Sequence, residues 1–156
     1  MQCQISDLIN EQRIAVGLNA KSDKEAIQKV CNILVRTEDI EEEYWEDVYQ
    51  REREFPTGLP TMPVSIAIPH ADPDHVTRTS IAIGILEEPV EFRQMGADPT
   101  KTVQAWIVFL LAIKEVEKQV DLIRSLMVLV QNQNLLRKII ASKTPAGVLE
   151  VINQSP

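Results

Sequence analysis

Histidine occurs twice, cysteine twice and glycine five times in 156 residues, and each scarcity narrows what the chain can do. Two cysteines are too few for a disulfide framework. No glycine-flanked serine or cysteine offers a nucleophile elbow and neither cysteine lies near a plausible base, so a hydrolase of that kind has less support. Basic residues are also short: 16 Lys and Arg stand against 23 Asp and Glu, a net charge of -7. This balance argues against nucleic acid, because binding to phosphates needs clustered cations whose counterion release supplies most of the affinity. Aromatic residues make up only 4%, so aliphatic side chains must fill the core. The longest apolar run, Ala105 to Ile113, has nine residues. A membrane-spanning helix needs roughly 20, so this segment is expected to be a buried strand and direct membrane insertion is not expected. Met1 to Asp7 lack the positive flank and apolar stretch of an export signal, and the cytoplasm is the expectation.

What the chain does have is patterned apolar sequence, with 44% hydrophobic and 25% charged residues. Residues 1–156 read as one domain with one sizeable core. Arg13 to Leu18 predict a strand with Ile14, Val16 and Leu18 on one face. Ser22-Asp23-Lys24-Glu25 fits a capping box opening a helix to about Arg36, whose stripe of Ala26, Ile27, Val30 and Leu34 includes Cys31 as a small packed thiol. Cys3 has nothing around it to lower its pKa and receives no role. Residues 40–54 predict a second helix, with Ile40, Tyr44, Trp45, Val48 and Tyr49 on one side and a solvated acidic face of Glu41, Glu42, Glu43, Glu46 and Asp47. Three prolines and a glycine between Phe55 and Pro63 predict an irregular loop.

Strands are then expected at Val64 to Ile68, at Ser80 to Leu86 and ending near Ile113, with a short piece at Val90-Glu91-Phe92. Large and small residues alternate in Ser80 to Leu86, as in a strand packed on both faces. The last third predicts helices over Val116 to Gln131, Asn134 to Ala141 and Thr144 to Ile152. Strands in the middle with helices on both sides in sequence indicate an α/β or α+β layered sandwich, with a central mixed sheet of about four to five strands.

His70 ends the apolar segment Val64 to Pro69, where a buried strand should emerge into a loop. Pro69 has no N–H to donate, so strand pairing should weaken there. A neutral imidazole has a nitrogen lone pair near pH 7, which makes histidine a possible covalent phosphoryl carrier. A phosphoryl group also needs cationic or N–H donors, and Arg51, Thr57 and Gly58 can offer a guanidinium, a hydroxyl and a backbone amide. The rival chemistry is a metal site in His70-Ala71-Asp72-Pro73-Asp74-His75, although this spacing matches no strong ligand signature and its carboxylates equally suit turn caps. His75 is then read as a solvent-facing loop residue.

The stretch Arg51-Glu52-Arg53-Glu54-Phe55-Pro56-Thr57-Gly58, followed by Ala67-Ile68-Pro69-His70, resembles the active-site pattern of IIA components of the bacterial sugar phosphotransferase system, mannitol/fructose class. The resemblance extends over nearly the whole chain and implies that family's phosphotransferase/anion-transport-protein-like sandwich. It implies a phosphotransferase component with His70 as the phosphorylated nucleophile, Arg51 beside it, and Thr57 and Gly58 shaping the pocket. Glu52 is assigned the lesser task of orienting Arg51. The implied partners are the histidine phosphocarrier protein as donor and a cysteine of a IIB component as acceptor, with membrane association only through IIB and IIC. The resemblance calls for no metal or other cofactor.

Many family members carry a second histidine opening the pattern His-Leu-x-x-Leu-x-x-Leu after the last strand. Aligning Val120, Ile123 and Leu126 with those leucines puts Gln119 in the histidine's place. Gln119 offers an uncharged hydrogen bond to a phosphoryl oxygen or to the His70 ring, or is an ordinary exposed helix residue. This departure and the Phe-Pro-Thr-Gly spelling look most similar to galactitol-type IIA proteins. The alternative function is regulatory, as in nitrogen-type IIA-like proteins whose phosphorylation controls a partner. Either way, docking should be transient and below roughly 1,200 Å² in total, with Leu59, Met62 and Pro63 as candidates for its apolar part.

Overall fold

Side-chain size along the two longest strands decides how the layers stack. The computed structural model describes residues 5–154, so Cys3 lies outside them. The elements are β1 (Ile14–Leu18), α1 (Asp23–Arg36), α2 (Tyr44–Glu54), β2 (Gly58–Leu59), β3 (Ser65–Ala67), β4 (Ser80–Arg93), β5 (Thr102–Ala112), α3 (Gln119–Val130), α4 (Gln133–Ala141) and α5 (Pro145–Asn153). The strands form one mixed sheet in the order β1-β4-β5-β3-β2. The β1/β4 and β3/β5 pairs are parallel, and the β4/β5 and β2/β3 pairs are antiparallel.

Because strand side chains alternate between faces, the sheet separates two apolar layers. Ile66, Ile68, Ile81, Ile83, Ile85, Ile107, Phe109 and Leu111 pack with Leu122, Leu126, Leu136, Ile139, Val148 and Ile152 from α3, α4 and α5. Ala67, Ala82, Ala105, Val108, Leu110 and Ala112 pack with Ile27, Val30, Leu34, Tyr44 and Val48 from α1 and α2. The second face is thus built from smaller residues, which lets α1 approach closely. Gly84 shows how closely: a Cβ there would come within 2.5 Å of Val30 Cγ2 and 2.9 Å of Leu18 Cδ1. No helix among the described residues is long and apolar enough to cross a membrane.

Several sequence expectations shift in the structure. Leu18 packs with α1, whereas Ile14 and Val16 belong to the opposite layer. Gly17 has a φ of +71°, and the register slips between Ala15 and Leu18, so this bulge turns Leu18 to the other face. Ser22 caps α1 as expected, its Oγ accepting from the Glu25 N–H at 3.1 Å. The Glu25 carboxylate, however, reaches the N–H of Lys21 at 3.3 Å. The second helix begins at Tyr44, since Ile40 pairs with Val76 in an isolated bridge and Glu38 turns the chain at φ +62°.

The expected loop contains the two-residue edge strand β2, and the separate piece at residues 90–92 is the far half of β4. A register shift between Ile85 and Val90 lets that strand continue through Pro89. Asp39 ties the segment after His70 back to α1. Its fully buried carboxylate accepts from Arg13 Nε at 2.9 Å, Arg78 Nε at 2.6 Å and the Thr37 hydroxyl at 2.6 Å, and its carbonyl accepts from the N–H groups of Thr77 and Arg78.

Gly84→Ala is expected to destabilise the protein by about 1–3 kcal/mol, the range for overpacking a filled core. A urea midpoint equal to that of the wild type would show that α1 does not require the close approach.

Candidate functional site

His70 stands where β3 leaves the sheet, and its ring orientation follows from one hydrogen bond. Its Nδ1 lies 2.9 Å from the Ile68 carbonyl oxygen. A carbonyl can only accept, so Nδ1 carries the proton and Nε2 keeps the lone pair. Burial pushes the imidazole pKa below its ordinary value of 6.5, and the nearby Arg51 cation acts in the same direction, against the opposing effect of the Ile68 bond. The ring is therefore neutral at pH 7, with Nε2 available as a nucleophile. Only 8% of the residue is exposed, which limits access of water to that nitrogen.

Backbone contacts hold this residue on both sides. The Pro69 carbonyl accepts from the Leu111 N–H at 3.1 Å, so pairing with β5 outlasts β3 itself. The Ala71 N–H donates to the Tyr44 hydroxyl at 3.1 Å, and that hydroxyl donates to the Leu111 carbonyl at 2.9 Å. Sequence patterning assigned Tyr44 only to the apolar stripe of α2. The usable signal was the residue type, because a tyrosine on an inward stripe brings a hydroxyl that must find partners.

Arg51 lies in the last turn of α2 with its guanidinium carbon 5.2 Å from the centre of the Phe55 ring. No carboxylate pairs with it among the described residues, and its buried Nε has no hydrogen-bond partner. An unpaired cation with an unused buried donor beside a neutral imidazole suits an anion.

Glu52 does not orient Arg51. Adjacent helix positions point about 100° apart, and Glu52 turns inward. One carboxylate oxygen accepts from the Thr57 N–H at 2.8 Å and the other from the Thr57 hydroxyl at 2.7 Å. While Glu52 is ionised, both Thr57 donors are thus engaged and Thr57 has none left for a phosphoryl group. Gly58 is likewise explained by packing: a Cβ there would meet the Arg93 carbonyl oxygen at 2.6 Å and Val103 Cγ2 at 2.8 Å. Its role is to let β2 approach β5 at Val103 and the end of β4 at Arg93.

Gln119 is the first residue of α3 and is half-buried. Its side chain makes no hydrogen bond among the described residues. Val120, the first of the three aligned apolar positions, is 62% exposed, and the inward face of α3 is Leu122, Leu126 and Val130. Ile66 and Ile68, which lead to His70, belong to the layer that α3 covers. The helix carrying Arg51 packs on the opposite face.

The rival metal arrangement does not assemble. His70 Nδ1 is bound to Ile68, and His75 Nδ1 lies 2.5 Å from Asp47 Oδ2, which raises the pKa of His75. The grouping of potential donors among the described residues is Glu41, Glu43 and His75, without His70, Asp72 or Asp74. His75 is half-buried through its Asp47 contact rather than freely solvated. Cys31 is buried in the α1 layer, where burial raises its thiol pKa and keeps it inert. Leu59 is half-buried, whereas Met62 and Pro63 are exposed beside it.

Residues 7–155 match the family model described as "Phosphoenolpyruvate-dependent sugar phosphotransferase system, EIIA 2". The mannitol-specific EIICBA component of Vibrio cholerae is 28% identical over 150 residues, which are 94% of this chain and 22% of that protein. The galactitol-specific EIIA component of Escherichia coli K12 is 25% identical over 124 residues, 80% of this chain and 81% of that one. The chain thus spans about a fifth of the first relative and most of the second. Among solved structures, the Escherichia coli complex of enzyme IIA mannitol with phosphorylated enzyme IIB mannitol matches with a TM-score of 0.77, at 24% identity, over 94% of this chain and 98% of that one. That likeness supports the fold.

Burial raises the Glu52 carboxyl from 4.5 to about 7, against the opposing effect of the Thr57 hydrogen bonds. Between those values the folded state binds more protons than the unfolded chain. The contribution of Glu52 to stability is therefore full below pH 4.5 and is lost as pH rises through about 7. A shift of this size corresponds to about 3 kcal/mol. Subtracting the pH–stability curve of Glu52→Gln, whose amide can still bond to Thr57, from that of the wild type is expected to reveal a fall of this size across the window. A flat difference would contradict it.

Proposed function

The chain belongs to the EIIA 2 family of the phosphoenolpyruvate-dependent sugar phosphotransferase system, and from that premise we propose that it is a phosphocarrier that takes a phosphoryl group onto Nε2 of His70. The observation that carries the reading is a neutral, buried imidazole with its lone pair fixed on Nε2, near an arginine that has no carboxylate partner among the described residues. The donor is a histidine-phosphorylated carrier protein, and the acceptor is a cysteine of a IIB component.

In the first transfer, Nε2 of His70 attacks phosphorus in line as the donor's N–P bond breaks. A protonated phosphoimidazole on the donor leaves as neutral imidazole, and His70 becomes a protonated phosphoimidazole. Charge therefore moves with the phosphoryl group and no separate proton transfer is needed. The Ile68 carbonyl then accepts from a cationic ring, and such a charge-assisted bond is stronger than the neutral one. In the second transfer, the IIB thiolate attacks phosphorus, the N–P bond to His70 breaks, and the ring returns to its neutral form. Such loose transfers need alignment, charge stabilisation and exclusion of water more than covalent chemistry from the protein. Arg51 supplies the charge for the transferred oxygens, and Gln119 is the candidate for an uncharged contact. No metal or other cofactor enters either step.

Mannitol- and galactitol-specific relatives match at similar identity. Galactitol is our assignment for the sugar from the Gln119 departure, and the sugar-metabolic genes beside this one would test it.

Incubation with phosphoenolpyruvate, enzyme I and the histidine carrier is expected to give one acid-labile, base-stable phosphoryl group per chain, absent from His70→Ala. Equal labelling of the variant would refute His70 as the carrier. A labelled protein that gives nothing to the cognate IIB would favour the regulatory reading. Arg51→Ala, checked for folding, is expected to slow labelling roughly 100-fold, the effect of removing one electrostatic stabiliser of a transition state.

A further inference from the structure

The parallel pairing of β3 with β5 opposes Ala67 to Val108, and the same register continued by three residues opposes His70 to Leu111. In an unbroken parallel ladder, Leu111 would bond through both of its backbone groups to the residues flanking His70: its N–H to the Pro69 carbonyl and its carbonyl to the Ala71 N–H. The first bond is present at 3.1 Å. In place of the second, the Tyr44 hydroxyl stands between the two groups, accepting from Ala71 N–H at 3.1 Å and donating to Leu111 O at 2.9 Å. The Ala71 carbonyl is a longer alternative acceptor at 3.5 Å. A single phenolic oxygen is thus inserted into the ladder, and it holds the chain away from β5 on the C-terminal side of the histidine.

Tyr44 is wholly buried, in the α1 and α2 layer with Ala67 and Ala71. Packing alone would be served by phenylalanine. The hydroxyl is buried and satisfied on both its donor and acceptor sides, and burial pushes the phenol pKa up, so it keeps the proton that it gives to Leu111. Removing it leaves Ala71 N–H and Leu111 O either unpaired or free to close on each other. Direct closure would draw the His70 turn toward β5.

We propose that Tyr44 is a positioning residue for phosphoryl transfer, its hydroxyl setting the exit of the chain from the sheet and so the place at which His70 presents Nε2. This rests on His70 being the phosphoryl carrier, and the experiment separates the two claims. Tyr44→Phe is compared with wild type in three measurements: thermal melting for folding, ¹⁵N NMR of the His70 ring for tautomer and titration midpoint, and the rate and final extent of labelling by the phosphorylated donor.

The folded variant is expected to show a mixed tautomer and a His70 midpoint moved further below its ordinary value, because the Ile68 bond that raises it is weakened, while His75 does not change. Its labelling should slow by roughly 10- to 100-fold, the effect of a misplacement of about 1 Å, and still reach wild-type extent. A wild-type tautomer, midpoint and rate in folded Tyr44→Phe would overturn the positioning role. Failure of the wild type to label would instead overturn the phosphocarrier reading, and the ring NMR would still judge Tyr44. If the variant does not fold, wild-type protein carries the test. Phosphorylation should shift the Tyr44 ring and Ala71 amide resonances and leave Tyr49 unmoved, and unshifted Tyr44 and Ala71 signals would overturn the proposal.

Discussion

The hydrogen bond from His70 Nδ1 to the Ile68 carbonyl is the constraint on which the site depends. It assigns the proton to one nitrogen and leaves the lone pair on the other, so a buried ring offers a single, defined nitrogen for the proposed transfer. The bond is local, spanning two residues, yet it holds only if the backbone between Ile68 and Ala71 keeps its path. That path is set from β5, where Leu111 contacts Pro69 directly and Ala71 through Tyr44. The sheet therefore does more than bury apolar surface. It fixes the protonation pattern of the histidine at its edge.

Electrostatics follow from the same arrangement. Burial keeps His70 neutral, and the nearby guanidinium of Arg51 acts in the same direction while remaining without a carboxylate partner among the described residues. The acid next to it in sequence is turned away and neutralises no part of that charge, because it holds Thr57 instead. A carboxylate beside Arg51 would have competed with an incoming phosphoryl group. Two neighbouring residues on one helix thus serve separate ends: Arg51 stays available for an anion, and Glu52 anchors the loop leading to β2.

Much of this was legible in sequence where the signal is local. The caps at Ser22 and Thr144, the apolar stripe of α1 and the alternation in Ser80 to Leu86 all translate into the observed elements. What failed to show depends on contacts distant in sequence or on backbone angles. The bulge at Gly17 reverses Leu18, and pairing with β5 carries β4 through Pro89. Pairing with β3 likewise makes a strand of Gly58–Leu59 in a proline-rich stretch. At the site, residue identities pointed to His70 and Arg51, but the partners of Glu52 and the demand on Gly58 arise from packing across the fold. Tyr44 was visible as an apolar helix position and not as a hydroxyl, since its partners lie 27 and 67 residues away.

The central claim is that His70 carries the phosphoryl group and does so on a particular nitrogen. Long-range ¹H–¹⁵N NMR of the phosphorylated, ¹⁵N-labelled protein tests it most directly. The account predicts phosphorus coupled to Nε2 of His70, with Nδ1 still protonated. Phosphorus on Nδ1, on another residue or nowhere in the chain would contradict it.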